Sequence, residues 1–329
     1  MMKMSNKLSI NYVTAKKRPM FQWFVETLIS QYESGVVTDQ IVFIDSFLHH
    51  EEGRKEKLEK IVGGRFEYLH IPPKPSIWRG KYRKTKANFF DASSTRNTGI
   101  IVAENNHVVF VDDLSALTNG WIGYHQKAAL EKTVFCGAYD KVSKIVIENN
   151  RVASYIAKNF DGRMTHQIGD ENISIGGGWV FGQNVSFPLE FLERINGYDE
   201  FLARRGCEDC NLGVRLELAG YKGQIFYNKN CLVIEDEAMH WGPENPVDEL
   251  YPKRAWKSDI KRNQEVNAFM CASMQKIEHN HLYSEKNFKT IDTSFDLVKE
   301  RELYKKTGEF KAVGNCDYFD FDGENLKEI

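Results

Sequence analysis

Two acidic pairs hold the residues of this chain best suited to chemistry. Asp112-Asp113 follows the apolar run Val108-Val109-Phe110-Val111. Glu208-Asp209 lies in Gly206-Cys207-Glu208-Asp209-Cys210-Asn211-Leu212, shortly after Ile195-Asn196-Gly197-Tyr198-Asp199-Glu200. Paired carboxylates at a strand end can hold Mg²⁺ or Mn²⁺, hard ions that prefer oxygen and leave positions for substrate phosphate. The first pair therefore suits a diphosphate, although a strand-end turn with an aspartate cap looks the same in sequence. The second pair stands at the head of an expected helix, where the macrodipole stabilises a carboxylate; capping explains one acid there but hardly the whole cluster. Ser93-Ser94-Thr95-Arg96-Asn97-Thr98-Gly99 puts Arg96 on a helix just before the first pair, and its fork suits oxygen pairs such as phosphates. His240, after the strand-like Cys231-Leu232-Val233-Ile234, is a candidate ion ligand, though a lone histidine is more often structural.

Positioning these residues is the task of an alternating chain. Residues 8–14 read as a strand ending in the polar turn Ala15-Lys16-Lys17-Arg18-Pro19, and residues 21–32 have apolar positions at helical spacing. Residues 40–45 form a second strand ending in Asp45, residues 51–62 a charged helix, and residues 66–71 a third strand stopped by Pro72-Pro73. This βαβαβ order implies a parallel, doubly wound sheet. A buried parallel strand over 108–111 then delivers Asp112-Asp113 at its carboxyl end, where open α/β sheets bind ligands. Helices are expected over 92–103 and 121–130 and a strand over 134–139, while 145–171 reads as an irregular polar insertion or an acceptor-side flap. After Gly176-Gly177-Gly178 the apolar stretch 179–187 resumes the core. A short helix enters through Pro188, and another over 209–219 is closed by Gly220. Beyond 248 the character changes to two helical stretches, 254–277 and 294–306, the latter ending at Gly308. The expected division is a domain over 7–247 and a mostly helical C-terminal extension over 248–329.

Composition limits the function classes. The 329 residues are 42% hydrophobic and 27% charged, enough for a substantial core. Lys+Arg 44 against Asp+Glu 46 gives a net charge of -2, so no global basic field points to nucleic acid or membrane. The six cysteines are scattered without disulfide-scaffold density. No run approaches a membrane span and residues 1–7 are polar. A soluble cytoplasmic protein is expected, with peripheral membrane attachment left open.

Taken together, these segments resemble the GT-A glycosyltransferases, specifically the family 2-like group and the related β-1,4-galactosyltransferase C-terminal region. The resemblance rests on the first strand with its Lys17-Arg18-Pro19 turn, Asp45, Ser94-Thr95-Arg96-Asn97-Thr98-Gly99, Phe110-Val111-Asp112-Asp113, and the block from the triple glycine to Arg215-Leu216. It covers roughly residues 7–245. It implies an α/β GT-A fold with a mostly parallel central sheet, and a metal-dependent inverting transfer from a nucleotide-sugar, with UDP as carrier, to a hydroxyl of a carbohydrate or glycoconjugate. On this likeness Thr14, Arg18, Asp45, Arg96 and Asp112 would contact the donor. Asp112, Asp113 and His240 would hold Mn²⁺ or Mg²⁺, Asp209 would be the general base with Glu208 beside it, and Trp179 and Gly178 would line the acceptor pocket. One departure matters. The family usually shows Asp-x-Asp, whereas Leu114 follows Asp113 here, so the choice between Asp112 and Asp113 as metal ligand stays open.

Other readings compete. Cys207-Glu208-Asp209-Cys210 contains a Cys-x-x-Cys, but a structural zinc needs a second ligand pair that the sequence lacks. A sugar-1-phosphate nucleotidyltransferase would carry a glycine-rich loop after the first strand, and Thr14-Ala15-Lys16-Lys17-Arg18-Pro19 is not one. A degenerate fold serving as a carbohydrate-binding or assembly module is opposed by both acidic pairs and His240. Six basic residues between Lys74 and Lys86, interleaved with aromatics, raise a DNA acceptor with a hydroxylated base.

Overall fold

The first strand, β1 (Ser9–Thr14), alternates its side chains between two faces, and both faces are buried. It leads into α1 (Phe21–Ile29), β2 (Gln40–Asp45), α2 (Arg54–Val62) and β3 (Leu69–Ile71). Next come α3 (Ala92–Val102), β4 (His107–Asp112), β5 (Ser115–Leu117), α4 (Trp121–Glu131) and β6 (Val134–Glu148). The computed structural model describes residues 6–76, 91–166, 169–200, 202, 208–240, 283–290 and 295–312.

Strands β3, β2, β1 and β4 lie side by side and parallel, as the βαβαβ order requires. Past β4 the sheet changes direction. Strand β9 (Asn184–Pro188) runs antiparallel to both β4 and β6, while β10 (Ile225–Asp236) runs parallel to β6 and antiparallel to β5. The order along the main path of this ten-stranded sheet is β3-β2-β1-β4-β9-β6-β10-β5. The central sheet thus joins antiparallel strands to a parallel half, and helices flank it as expected. Every residue of β9 is buried, Asn184 and Ser186 included, although these alternate with Val185 and Phe187 in the sequence.

The sheet separates two apolar layers. Val13, Val42, Ile44, Val108 and Phe110 face one cluster, with Ile100 and Ile101 of α3 packed on them. Ile10, Tyr12, Ile41, Phe43, Val109 and Val111 face the other, covered by Phe21, Phe24 and Leu28 of α1 and Trp121 of α4.

The stretch expected to be an irregular insertion contains a long hairpin. β6 extends to Glu148, Asn149 and Asn150 turn with φ of 51° and 60°, and β7 (Arg151–Asn159) returns alongside β6. Positive φ at both turn residues matches the twist of a two-residue hairpin, and asparagine tolerates it. β7 is exposed along almost its whole length, so it lacks the apolar alternation that marks a strand in sequence.

After the hairpin come a turn of 3-10 helix (Gly162–His166), the short β8 (Ile173–Ser174) and a second 3-10 turn (Gly177–Trp179). α5 (Leu189–Ile195) follows β9, and α6 (Glu208–Leu216) runs into a π-helical turn (Glu217–Tyr221) that Gly220 ends with φ 98°. α7 (Glu237–His240) closes β10. Of the C-terminal extension, α8 (Leu297–Thr307) forms as expected, begun by the Asp296 cap and stopped by Gly308 at φ 72°. Phe295 and Leu297 join the core, and Arg301 donates to the carbonyls of Ile100, Ile101 and Ala103 at the end of α3. The expected helical stretch 254–277 lies outside the described residues. Among them, no helix is long and apolar enough to cross a membrane.

Candidate active site

The site grows from the carboxyl end of β4. Asp112 is its last residue, Asp113 begins the turn, and Leu114 completes it in the left-handed region at φ 59°. A left-handed conformation costs an L-residue roughly 1–2 kcal/mol. The surroundings hold it: the Leu114 N–H donates to Tyr12 Oη at 3.2 Å, its carbonyl accepts from the Asp236 N–H, and its side chain is fully buried. The position after Asp113 therefore serves the sharp reversal into β5. Asp113 is buried and accepts from Thr14 Oγ1 at 3.0 Å, which joins the ends of β1 and β4.

α3 brings Arg96 to this point. The helix is polar in sequence, yet every one of its residues is buried. Asp91 caps it by accepting from the N–H groups of Ser93 and Ser94 at 3.1 and 3.2 Å. Arg96 Nη2 lies 3.0 Å from Asp112 Oδ1, and Nη1 lies 3.0 Å from Glu208 Oε1. One guanidinium thus joins the two acidic pairs that the sequence set far apart. Glu208 and Asp209 occupy the first turn of α6, as expected. Asp209 is half-buried, and its Oδ2 accepts from the Gly182 N–H at 2.9 Å. Gly182 also lies against Arg96, where a β-carbon would overlap the guanidinium.

Negative charge is concentrated here. Burial, and then the Asp113, Glu235 and Glu208 carboxylates, push the Asp112 carboxyl up to about 7 against the pull of Arg96. The Asp112 side chain nonetheless keeps 27% of its surface open. Glu235 and Asp236 end β10, with Glu235 opposite Ser115 at the start of β5, and neither was singled out in sequence. They form a third acidic pair behind an apolar run, the same signal that marked Asp112-Asp113. Gln183 Nε2 donates to Glu235 at 2.8 Å, and Asp236 accepts from the Met239 N–H at 3.1 Å.

Trp179 and Gly178 sit in the turn before Gly182. Gly177 packs directly on Gly213 of α6, each leaving no room for a β-carbon on the other. The buried Arg163, also missed in sequence, steadies this turn. It pairs with Asp161 at 2.6 Å, donates to the carbonyls of Trp179 and Gly137 at 3.0 and 2.9 Å, and lies between the rings of Phe181 and Tyr227.

The remaining expected donor contacts are placed differently. Asp45 ends β2 beside Thr14, but it is fully buried and accepts from Arg54 Nε at 2.7 Å, the Phe47 N–H at 2.9 Å and His70 Nε2 at 3.1 Å. Against its burial, His70 and Arg54 hold its carboxyl below the ordinary value. Arg54 in turn donates to the carbonyls of Lys16 and Lys17, both at 2.6 Å, so Asp45 anchors the turn after β1. Arg18 is exposed on that turn. The His240 side chain lies outside the described residues, as does Cys207; Cys210 is a buried thiol with Sγ 3.7 Å from the Val180 carbonyl. Lys74, first of the basic run, is buried against Glu200, and most of that run lies outside the described residues.

The architecture around these acids has solved counterparts. It is similar to GalNAc-T7 crystallised with UDP, GalNAc and Mn²⁺, with TM-score 0.53 and 14% identity over 79% of this chain and 48% of that one. It is also similar to S. aureus TarS 1-349, with TM-score 0.51 and 11% identity over 79% of this chain and 63% of that one. TarS 1-349 in complex with UDP gives TM-score 0.50 and 12% identity over 70% and 60%. This is the GT-A glycosyltransferase fold. No family model and no curated protein matches the sequence. The chain spans about half the length of GalNAc-T7 and under two thirds of TarS, and the likeness is one of fold.

Within that GT-A frame, no three His, Cys, Asp or Glu side chains among the described residues form a metal cage. Asp112 and Asp113 nevertheless fit a hard divalent cation of the kind held by one or two carboxylates together with substrate phosphates. The crowding of acids around Asp112 leaves negative charge for such an ion to offset.

Proposed function

We propose that this chain is an inverting glycosyltransferase that moves a sugar from a UDP-sugar to a hydroxyl of a carbohydrate or glycoconjugate. The observation that carries this reading is the meeting of both acidic pairs at Arg96, within a GT-A frame. The finer likeness to the β-1,4-galactosyltransferase region and the division at 247 belong to the same proposal.

In this reading the donor diphosphate lies over the ends of β1 and β4, near Thr14, Asp112 and Asp113. Asp112 and Asp113 would hold Mn²⁺ or Mg²⁺ there, with His240 as a third ligand. Such a cation, when bound, offsets the charge that develops on the leaving diphosphate. Asp209 takes the proton from the acceptor hydroxyl as its oxygen attacks the anomeric carbon. The bond from that carbon to the diphosphate oxygen breaks, and the electron pair leaves with UDP. The Gly182 N–H holds Oδ2 of Asp209 and the Cys210 N–H holds Oδ1 at 2.8 Å, so the acceptor hydroxyl meets a remaining lone pair of this fixed carboxylate. Trp179 and Gly178 line the acceptor side.

The test is release of nucleotide diphosphate from a panel of nucleotide-sugars, with Mn²⁺ or with EDTA. Release from a UDP-sugar that EDTA abolishes is expected. Asp209→Asn should lower the rate about 10²- to 10⁴-fold, the usual contribution of a general base. Wild-type turnover in that variant would remove Asp209 from the mechanism, and a protein that binds no UDP in calorimetry would remove the donor reading.

A further inference from the structure

Arg96 is the residue whose surroundings fit its expected role least well. A donor-binding arginine presents its fork to phosphate oxygens. Here both terminal nitrogens are already taken, Nη1 by Glu208 and Nη2 by Asp112, each at 3.0 Å. The third nitrogen, Nε, is buried and has no hydrogen-bond partner among the described residues. The Tyr198 ring lies 5.7 Å from the guanidinium carbon, and the Gly182 backbone lies so close to the guanidinium that a β-carbon there would overlap it. The whole residue is 5% exposed. Turning the fork toward a ligand would take it from two carboxylates, one of them buried, that lie among other acids.

We infer that Arg96 is an internal counter-ion and not a nucleotide contact: it ties Asp112 to Glu208 and competes with a divalent cation for Asp112. The inference rests on the donor reading above and assigns Arg96 a positioning role within it. Two positive charges cannot both sit on one Asp112 oxygen without repulsion, so a cation arriving at Asp112 loosens the Nη2 contact. The Nη1 contact to Glu208 persists, and the acid pair at the head of α6 senses whether the donor side is filled. Gly182 touches the Arg96 guanidinium and fixes Asp209, which gives the same signal a second route of one residue.

The two roles predict opposite results in binding experiments that need no turnover. Mn²⁺ affinity is measured by electron paramagnetic resonance without nucleotide, and UDP affinity by calorimetry at saturating Mn²⁺, for the wild type and Arg96→Gln. Removing an internal competitor should tighten Mn²⁺ binding about tenfold, the worth of one charge-assisted hydrogen bond, while UDP affinity stays within about threefold. Unchanged Mn²⁺ affinity with UDP binding weakened about tenfold or more would overturn the inference and restore Arg96 as a nucleotide ligand. Should Arg96→Gln fail to fold, Arg96→Lys serves: one ammonium is too short and compact to bridge both carboxylates, so Mn²⁺ binding still tightens. A wild type that binds UDP with no Mn²⁺ at all overturns the counter-ion role and leaves the donor reading standing. A wild type that binds neither defeats both.

Discussion

At the residue scale, the motif that precedes the second acidic pair is structural. In Ile195-Asn196-Gly197-Tyr198-Asp199-Glu200, Asn196 adopts φ 65° to end α5, and its side chain accepts from the Leu297 N–H at 2.8 Å and donates to the Phe295 carbonyl at 2.8 Å. Gly197 gives its carbonyl to Arg215, Asp199 accepts from Tyr283, and Glu200 accepts from Lys74 and Asn97. Tyr198 is the exception. Its ring supports Arg96, but its hydroxyl is fully buried without a hydrogen-bond partner among the described residues. An unbonded buried hydroxyl costs about 1–3 kcal/mol, so Tyr198→Phe should keep or raise the melting temperature. A clear drop would mean that an ordered water or an undescribed group satisfies the hydroxyl. The residue types that do chemistry were legible in sequence, and Asp112, Asp113, Glu208, Asp209 and Arg96 do meet. Their partners were not. Nothing in a sequence tells that Asp45 will be sealed by Arg54 and His70, because that depends on which side chains the ends of β2, α2 and β3 bring together.

At the scale of elements, contacts between backbones decide how accurately the site is held. The 3-10 turn Gly177–Trp179 rests on α6 through Gly177 and Gly213, and a methyl on either would meet the other's carbonyl. Alanine at 213 gains about 1 kcal/mol of helix propensity over glycine. Here the overlap is with backbone, which cannot rotate away, and overpacking of this kind costs about 1–3 kcal/mol or more. The clash should win. Gly213→Ala is expected to lower the melting temperature, and because the same turn leads to Gly182 and its contact with Asp209, to lower any transferase rate by more than the stability loss explains. A variant as stable as the wild type would show that the two elements separate easily. The triple glycine was visible in sequence, but its partner Gly213 was not, since a single helical glycine looks like a local weakness until the opposing chain is known. The same limit hid β7, whose exposed residues lack a buried face, and left the direction of β9 unread.

At the scale of the whole molecule, buried charge joins the C-terminal segment to the sheet. Lys74, 2% exposed, places its ammonium 2.9 Å from Glu200 and 3.8 Å from Glu300 of α8, with the Phe295 ring 4.8 Å away. Although burial works against its charge, Glu200 and then Glu300 hold its pKa above the ordinary value. Glu200 also accepts from Asn97, the neighbour of Arg96, so the network ends one residue from the candidate active site. Lys74→Met removes the cation that the two carboxylates share, a change that costs about 3–5 kcal/mol when a buried pair is broken. The sign of its pH dependence follows from Glu200. Burial drives that carboxyl upward, and Lys74 is the chief influence drawing it back. Without Lys74 the folded-state pKa rises further above the unfolded value of about 4.3. Glu200 then favours folding only while it can stay protonated, and that contribution is lost as pH rises through the folded value. Glu200 is already pushed up to about 8 in the wild type, so urea denaturation of Lys74→Met should show a deficit relative to the wild type that is smaller at about pH 6 than at about pH 9.5. A deficit independent of pH would place its cause in lost packing against Phe295, and α8 would then be held by its apolar residues and Arg301 alone.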